Sequence, residues 1–201
     1  MVFDVLIIGG GVAGMQCALV IGSGLKKPFA IDKKVGIIIH QRNSHLQNSL
    51  FNNVLGLPSG TLGADVLTQG KKQLSENYSD VSQIEHEKVI SISDYTGFYI
   101  VKTNKNEYKT TIVVLALNYA KPFLIKGLEN YIKPHQRAKA VKDRIQLKND
   151  GYLVTKGLYV CGTLSGCRSQ FAIAAGSGAT VATDILTLWN DGEHSQVHDK
   201  I

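Results

Sequence analysis

Three observations predict an α/β protein: a parallel sheet flanked by helices, with an antiparallel β-meander added to it. First, Val5-Leu6-Ile7-Ile8 is an uninterrupted apolar run that breaks into Gly9-Gly10-Gly11, the pattern of a strand buried on both faces and ended by a tight turn. Second, three short alternating runs (Lys88 to Ser93, Phe98 to Thr103, Tyr108 to Thr111) are separated by Asp94-Tyr95-Thr96-Gly97 and Asn104-Lys105-Asn106-Glu107, which reads as a meander. Third, the strand-like run Leu158-Tyr159-Val160-Cys161 ends in Gly162-Thr163 and leads into a helix of small residues, so the strand, glycine turn and helix occur twice.

The elements follow in chain order. Gly9, Gly11 and Gly14 stand in G-x-G-x-x-G spacing, which suits a tight turn, close approach to a diphosphate, and close packing of helix on strand. The helix opening at Val12, Ala13 and Gly14 would turn its free N–H groups toward that diphosphate. It runs to Ser23, with Cys17 inside it as a core residue, and Gly22 to Gly24 end it. Pro28-Phe29-Ala30-Ile31 reads as the second strand, closing at Asp32, 18 residues past Gly14. A carboxylate there accepts from a ribose diol and repels a 2′-phosphate, which favours FAD or NAD over NADP. Asp32 and the adjacent Lys33 are therefore expected at the cofactor.

Residues 33–60 read as a long irregular loop, and loops of that length in a compact domain are commonly functional. Arg42 suits a phosphate, Asn43 can anchor the loop, and Asn53 joins them as a cofactor candidate. His40 and His45 have no third ligand at metal spacing, so no metal site is expected. Thr61 to Tyr78 reads as a helix with Thr61 as its N-cap and Leu62, Val66, Leu67 and Leu74 on one face. The meander then runs into a second doubly buried strand, Ile112 to Leu117; a plain NAD domain would instead continue with alternating strand and helix. Residues 126–148 carry Lys133, Arg137, Lys139, Lys142, Arg144 and Lys148 against two acids, Glu129 and Asp143. They read as a solvated face or as a docking patch for an acidic redox protein or a nucleotide phosphate. Asn149-Asp150-Gly151 signals a hairpin turn, Gln170 and Phe171 open the last helix to Trp189, and residues 191–201 read as a flexible tail.

The totals suit one globular domain of 201 residues that is 44% hydrophobic. No 18-residue apolar run without charge suggests a membrane span, and no signal peptide is read at the start. Three cysteines, none in C-x-x-C spacing, point to a reducing, cytoplasmic setting. A net charge of +6 without a recognition motif does not argue for nucleic acid.

With these residues in view, the chain resembles the FAD domain of the thioredoxin-reductase family, over residues 2–126 and 149–190. The matching motifs are Gly9-x-Gly11-x-x-Gly14, Asp32, Arg42-Asn43, the segment from Asn53 to Gly60, the meander, and the strand ending at Ala116. Gly157 to Gly162 and Gln170 with Ala174-Ala175-Gly176-x-Gly178 match as well. The resemblance implies a three-layer FAD/NAD(P)-binding Rossmann-type fold in a single domain, 1–190, and a homodimer. It implies that Gly162 and Thr163 lie by the ribityl and pyrophosphate, that Gln170 and the helix start at Phe171 face the flavin ring, and that Val89 touches the adenine side through its backbone. Three departures stand out. Residues 127–148 form a short basic bridge where the family inserts a nicotinamide-nucleotide domain; the C-x-x-C dithiol is absent with that domain; and the family's Gly-Asp and Ala-Thr-Gly appear as Gly162-Thr163 and Ala116-Leu117-Asn118.

Two functions follow as expectations. One is an FAD-dependent oxidoreductase pared to its flavin domain and reduced by transient NAD(P)H, a dithiol or a protein partner, with Cys161 and Cys167 as candidates for a redox pair. The other is a non-catalytic flavin- or nucleotide-binding module, a sensor or a degenerate subunit.

Overall fold

A computed structural model describes residues 1–40, 46–195 and 197 of the chain. The elements are β1 (Val2–Ile8), α1 (Val12–Gly24), β2 (Val35–Ile39), β3 (Leu50–Phe51), β4 (Thr61–Leu62), α2 (Gly63–Asn77), β5 (Val81–Glu85), β6 (Val89–Tyr95), β7 (Phe98–Thr103) and β8 (Glu107–Leu115). After them come β9 (Ile132–Pro134), β10 (Ile145–Leu147), β11 (Leu153–Thr155), β12 (Leu158–Val160) and α3 (Phe171–Trp189). The main sheet has the order β11-β12-β8-β1-β2-β5, parallel from β12 to β5, with β11 antiparallel at one edge.

β8 explains how a meander joins a parallel sheet. Its first half pairs antiparallel with β7, from Lys102↔Glu107 to Tyr99↔Thr110. Its second half pairs parallel with β12, from Leu158↔Val113 to Val160↔Leu115. Two neighbours thus share one edge of a single long strand, while β1 lies along the other edge.

From Val5 to Ile8, alternation along β1 sorts the core into two faces, and Phe3, before the irregularity where Asp4 N–H and Val5 N–H both reach Lys34 O, joins the second. Val5 and Ile7 pack with α1, Leu74 of α2, and Val181, Ala182, Ile185 and Leu186 of α3. Phe3, Leu6 and Ile8 pack with the meander and with Ile145 and Leu147 of β10. Helices, sheet, and a cover of meander and hairpin are therefore the three layers. By length and composition α3 would suffice to cross a membrane; here it lies along α1, where a Cβ on Gly178 would run into the Ala13 carbonyl.

Several elements differ from the sequence reading. Pro28 to Asp32 form turns, with Ala30 N–H on Lys27 O and Lys33 N–H on Ala30 O, and β2 is the next apolar run, Val35–Ile39. Pro28 could not donate to a ladder in mid-sheet, whereas β2 is paired on both edges. Residues 33–60 therefore hold β2 and β3 rather than one long loop. Thr61 lies in β4 and α2 is capped at Leu62, whose side chain is 50% exposed. β5, sparse in apolar residues, was not legible. The basic bridge folds as the antiparallel pair β9–β10, burying His135, Ile145, Gln146 and Leu147. In the expected tail, Ser195 is buried and its hydroxyl donates to Leu186 O.

One buried carboxylate ties the crossover before β6 to the meander. Glu87 accepts from Thr103 Oγ1 at 2.7 Å, Asn106 Nδ2 at 2.6 Å and Tyr108 Oη at 2.9 Å. The backbone beside it is clamped by Lys88 N–H on Asn104 Oδ1 and Asn104 N–H on Lys88 O. Burial alone would raise the Glu87 pKa, but these hydrogen bonds and the Lys105 charge outweigh it and hold the carboxyl below its ordinary value. A lowered acid contributes stability that is fully present above the unfolded-state pKa, about 4.3, and lost as pH falls through the folded value. Glu87→Gln should therefore cost about 1–2 kcal/mol at pH 7, because charge-assisted bonds become neutral ones. The gap from wild type in urea melts should shrink as pH drops below about 4; a gap independent of pH would mean that the ionised form is not the one held.

Candidate functional site

A cleft of about 540 Å³ opens at the carboxyl ends of the parallel strands, where ligands bind in open α/β sheets. Gly9, Gly11, Val12 and Ala13 line it from the first corner, and Ala116 lines it from the end of β8. Gly162, Thr163, Gln170 and Phe171 line it from the second corner. Asn53 and Val89 complete the expected set that the fold brings to this cleft. The two glycine corners, some 150 residues apart in the chain, thus open onto one cavity.

The three fingerprint glycines do different work. Gly9 has φ +118°, and a Cβ there would collide with the Ala116 carbonyl. A Cβ on Gly14 would run into the Gly9 carbonyl, so α1 can sit on its strand only if this residue has no side chain. Gly14 accordingly lies beneath the cleft. Gly11 is unlike both: its φ is −76°, ordinary for any residue, and an added Cβ would meet nothing within 4 Å. No contact among the described residues requires glycine at that position, and the space beside it is the cleft. Gly11 is also the N-cap of α1 and makes no side-chain capping bond, so the first-turn N–H groups and the positive end of the helix dipole face the same place.

At the second corner, Gly162 has φ +69° and its N–H donates to Ser177 Oγ of α3 at 2.8 Å. The carbonyl of Thr163 is held by His135, whose Nε2 lies 3.1 Å away. Arg137 N–H donates to His135 Nδ1 at 3.1 Å, which leaves the ring proton on Nε2 to bond that carbonyl. The β9–β10 hairpin is thereby fastened to the turn. Gln170 caps α3 through its own side chain, accepting from Ile173 N–H at 3.1 Å. Phe171 stands edge-on to Phe51 with ring centroids 5.0 Å apart, and both rings line the cleft.

Other expected site residues lie elsewhere. Asp32 and Lys33 precede β2 and so sit at the amino end of the sheet, opposite the cleft; Lys33 Nζ lies 3.6 Å from Asp4 Oδ1 and over the Trp189 ring. The expected ribose contact by Asp32 is corrected accordingly. The residue that follows β2 is His40, and it lines the cleft. Arg42 and Asn43 fall outside the described residues. Cys161 and Cys167 are free, buried thiols away from the cleft lining. Burial, with Cys167 adding to it, pushes the Cys161 thiol up to about 12, which keeps it protonated and unreactive at neutral pH. Cys167 instead packs against Ser165 Oγ and Tyr152 Oη.

Sequence reasoning did not assign Phe51, Glu87, Tyr119, His135 or His40 to the site. His40 was accessible, since it follows an apolar run that fits a strand better than one begun by proline. The others are brought in by turns and by the hairpin, which carry no spacing signal. Among the described residues, no group of His, Cys, Asp and Glu is arranged to hold a metal ion.

Sheet order, meander and paired corners define an α/β domain of the FAD/NAD(P)-binding Rossmann type. Its fold is that of the thioredoxin-reductase-like oxidoreductases. An oxidoreductase from Agrobacterium tumefaciens superposes with a TM-score of 0.72 at 14% identity, covering 96% of this chain and 100% of that one. A ferredoxin-flavin thioredoxin reductase from Clostridium acetobutylicum gives 0.70 at 15% identity, covering 94% and 99%. A thioredoxin reductase from Gloeobacter violaceus gives 0.70 at 13% identity, covering 100% and 98%. No protein-family model matches the sequence, and no curated protein matches it either.

The glycine geometry separates two substitutions. Gly11→Val should fold, losing no more than about 1 kcal/mol as a poorer N-cap, yet fill the cleft and abolish nucleotide binding. Gly14→Val should fail to fold, because the added atoms meet backbone. Circular dichroism with ligand titration checks both; a Gly11→Val protein with undiminished binding would show that the cleft is not the site.

Proposed function

We infer that this chain is an FAD-binding oxidoreductase built on a single flavin domain, with the β9–β10 hairpin standing where relatives insert a nicotinamide-nucleotide domain. The observation that carries the reading is Gly11, a glycine that no contact among the described residues explains and that borders the cleft. The set of groups fits the cofactor: first-turn N–H groups of Val12, Ala13 and Gly14 for the diphosphate, Val89 for the adenine side, and the second corner for the ribityl chain. Bound there, FAD would supply hydride and electron chemistry. The protein's part is placement and field. The start of α3, capped by Gln170, borders the cleft and would offer the positive end of a 19-residue helix to the flavin. Phe51 and Phe171 form an apolar wall at that end.

With both candidate thiols buried away from the cleft, electrons must arrive from outside the chain. NAD(P)H docking on the flavin face and a dithiol substrate are two sources. The hairpin favours a third, an acidic redox protein. Lys133, Lys139, Lys142 and Lys148 lie on it or beside it, and its lone acid, Asp143, is paired with Lys121 at 2.6 Å. The Clostridium relative is by name a ferredoxin-flavin enzyme. Free thiols suit a reducing, cytoplasmic setting, and a homodimer belongs to the same reading.

A second reading is a flavin- or nucleotide-binding module without turnover. It is favoured by the buried thiols and by Thr163 at a turn where the family carries a carboxylate. Anaerobic visible spectra of the FAD-reconstituted protein decide between them. Bleaching by NADH, NADPH, dithiothreitol or a reduced ferredoxin identifies the oxidoreductase, and a rate with ferredoxin should fall as salt rises. A flavin that none of these reduces leaves the binding module, and a protein that gains no flavin bands sinks both readings. Thr163→Asp should tighten FAD about tenfold by restoring a charge-assisted bond. Weaker retention would place the linker elsewhere.

A further inference from the structure

The end of the cleft beside β2 has a composition that the dinucleotide fingerprint does not predict. β2 pairs with β1 through Ile8↔Ile38, so two residues further on His40 comes level with Gly10 at the glycine corner. His40 lines both the main cleft and a side cavity of about 330 Å³ that it shares with Gly10, Gly11, Lys71, Glu85 and His86. In a Rossmann site the residue at the end of the second strand reads the adenosine ribose: a carboxylate takes the diol, and a basic group accommodates a 2′-phosphate.

Two acids line these cavities among the described residues, and both are committed. Glu85 pairs with Lys71 at 3.1 Å and has His86 Nε2 at 3.7 Å. Glu87 spends its oxygens on Thr103, Asn106 and Tyr108. Among the described residues, what remains for a ligand is the imidazole of His40, with Lys88 at the rim. An imidazole N–H can donate to a phosphate oxygen in either protonation state, whereas a carboxylate only accepts and repels the anion.

We propose that the adenosine end of this cleft accepts a 2′-phosphorylated ribose, so that a 2′-phosphoadenosine dinucleotide can occupy it in competition with FAD. His40 is the residue that sets this tolerance, and Lys71 supports it by neutralising Glu85. The proposal rests on the dinucleotide reading above and adds the ligand class that the ribose pocket admits.

Calorimetric titration of the full chain with 5′-AMP, adenosine 2′,5′-bisphosphate and FAD tests it. The bisphosphate should bind at least as tightly as 5′-AMP. His40→Asp, at an exposed position, should weaken the bisphosphate relative to 5′-AMP by tenfold or more. Should that variant fail to fold, Lys71→Gln frees Glu85 and should shift the same ratio in the same direction. If 5′-AMP binds better than the bisphosphate, or the ratio is unmoved by the substitution, the proposal is overturned while the dinucleotide site stands. If neither nucleotide nor FAD binds, the dinucleotide reading falls and takes the proposal with it.

Discussion

Backbone packed directly on backbone at one corner is the constraint from which the rest of the molecule follows. A side chain on Gly14 would strike the Gly9 carbonyl, and one on Gly178 would strike the Ala13 carbonyl. Without them, α1 can lie hard against β1 on one side and α3 on the other. These two contacts bring the start of α1 and the turn at Gly162 to the same cleft, although they belong to opposite ends of the chain. Close-packed interiors do not absorb added atoms at such places, so the geometry is held tightly.

The other face of the sheet is organised by polar groups at positions where the apolar core alone would leave orientation loose. Glu87 fastens the crossover before β6 to the turn between β7 and β8, and His135 fastens the hairpin to the Thr163 carbonyl. Tyr99, whose phenol burial pushes up to about 12, donates to Lys156 O at 2.6 Å and ties the meander to the β11–β12 turn. Buried polar bonds of this kind specify one arrangement, because a group left without its partner pays its full desolvation. All three sit next to segments that border the cleft or the strand feeding it.

The cleft couples a familiar geometry to an unusual set of groups. Its glycine corners and helix starts have the geometry expected for a dinucleotide, yet the described residues bring it no uncommitted carboxylate and no thiol. On the proposed reading, reactivity comes from a bound cofactor and from whatever reduces it, with the protein supplying position, an apolar wall and helix dipoles.

Much of the fold could be read from sequence because it depends on local pattern. Apolar runs broken by glycine marked β1 and the corner after it; alternation marked the meander; small residues from Gln170 onward marked α3. Each is a short-range rule of side-chain period and steric size. The second strand was misread because Pro28 to Ile31 is nearly as apolar as Val35 to Ile39, and only pairing with β1 and β5 decides which run enters the sheet. That choice moved Asp32 to the far end and put His40 at the cleft. The hairpin at residues 132–147 was hidden in the same way, since its charged residues face water and its buried ones are chosen by contact with the Thr163 turn. Composition and period thus determined the layers and the glycine corners. Which polar residues border the cleft was decided by long-range pairing, because a side chain's place at a site depends on strands and turns distant in sequence.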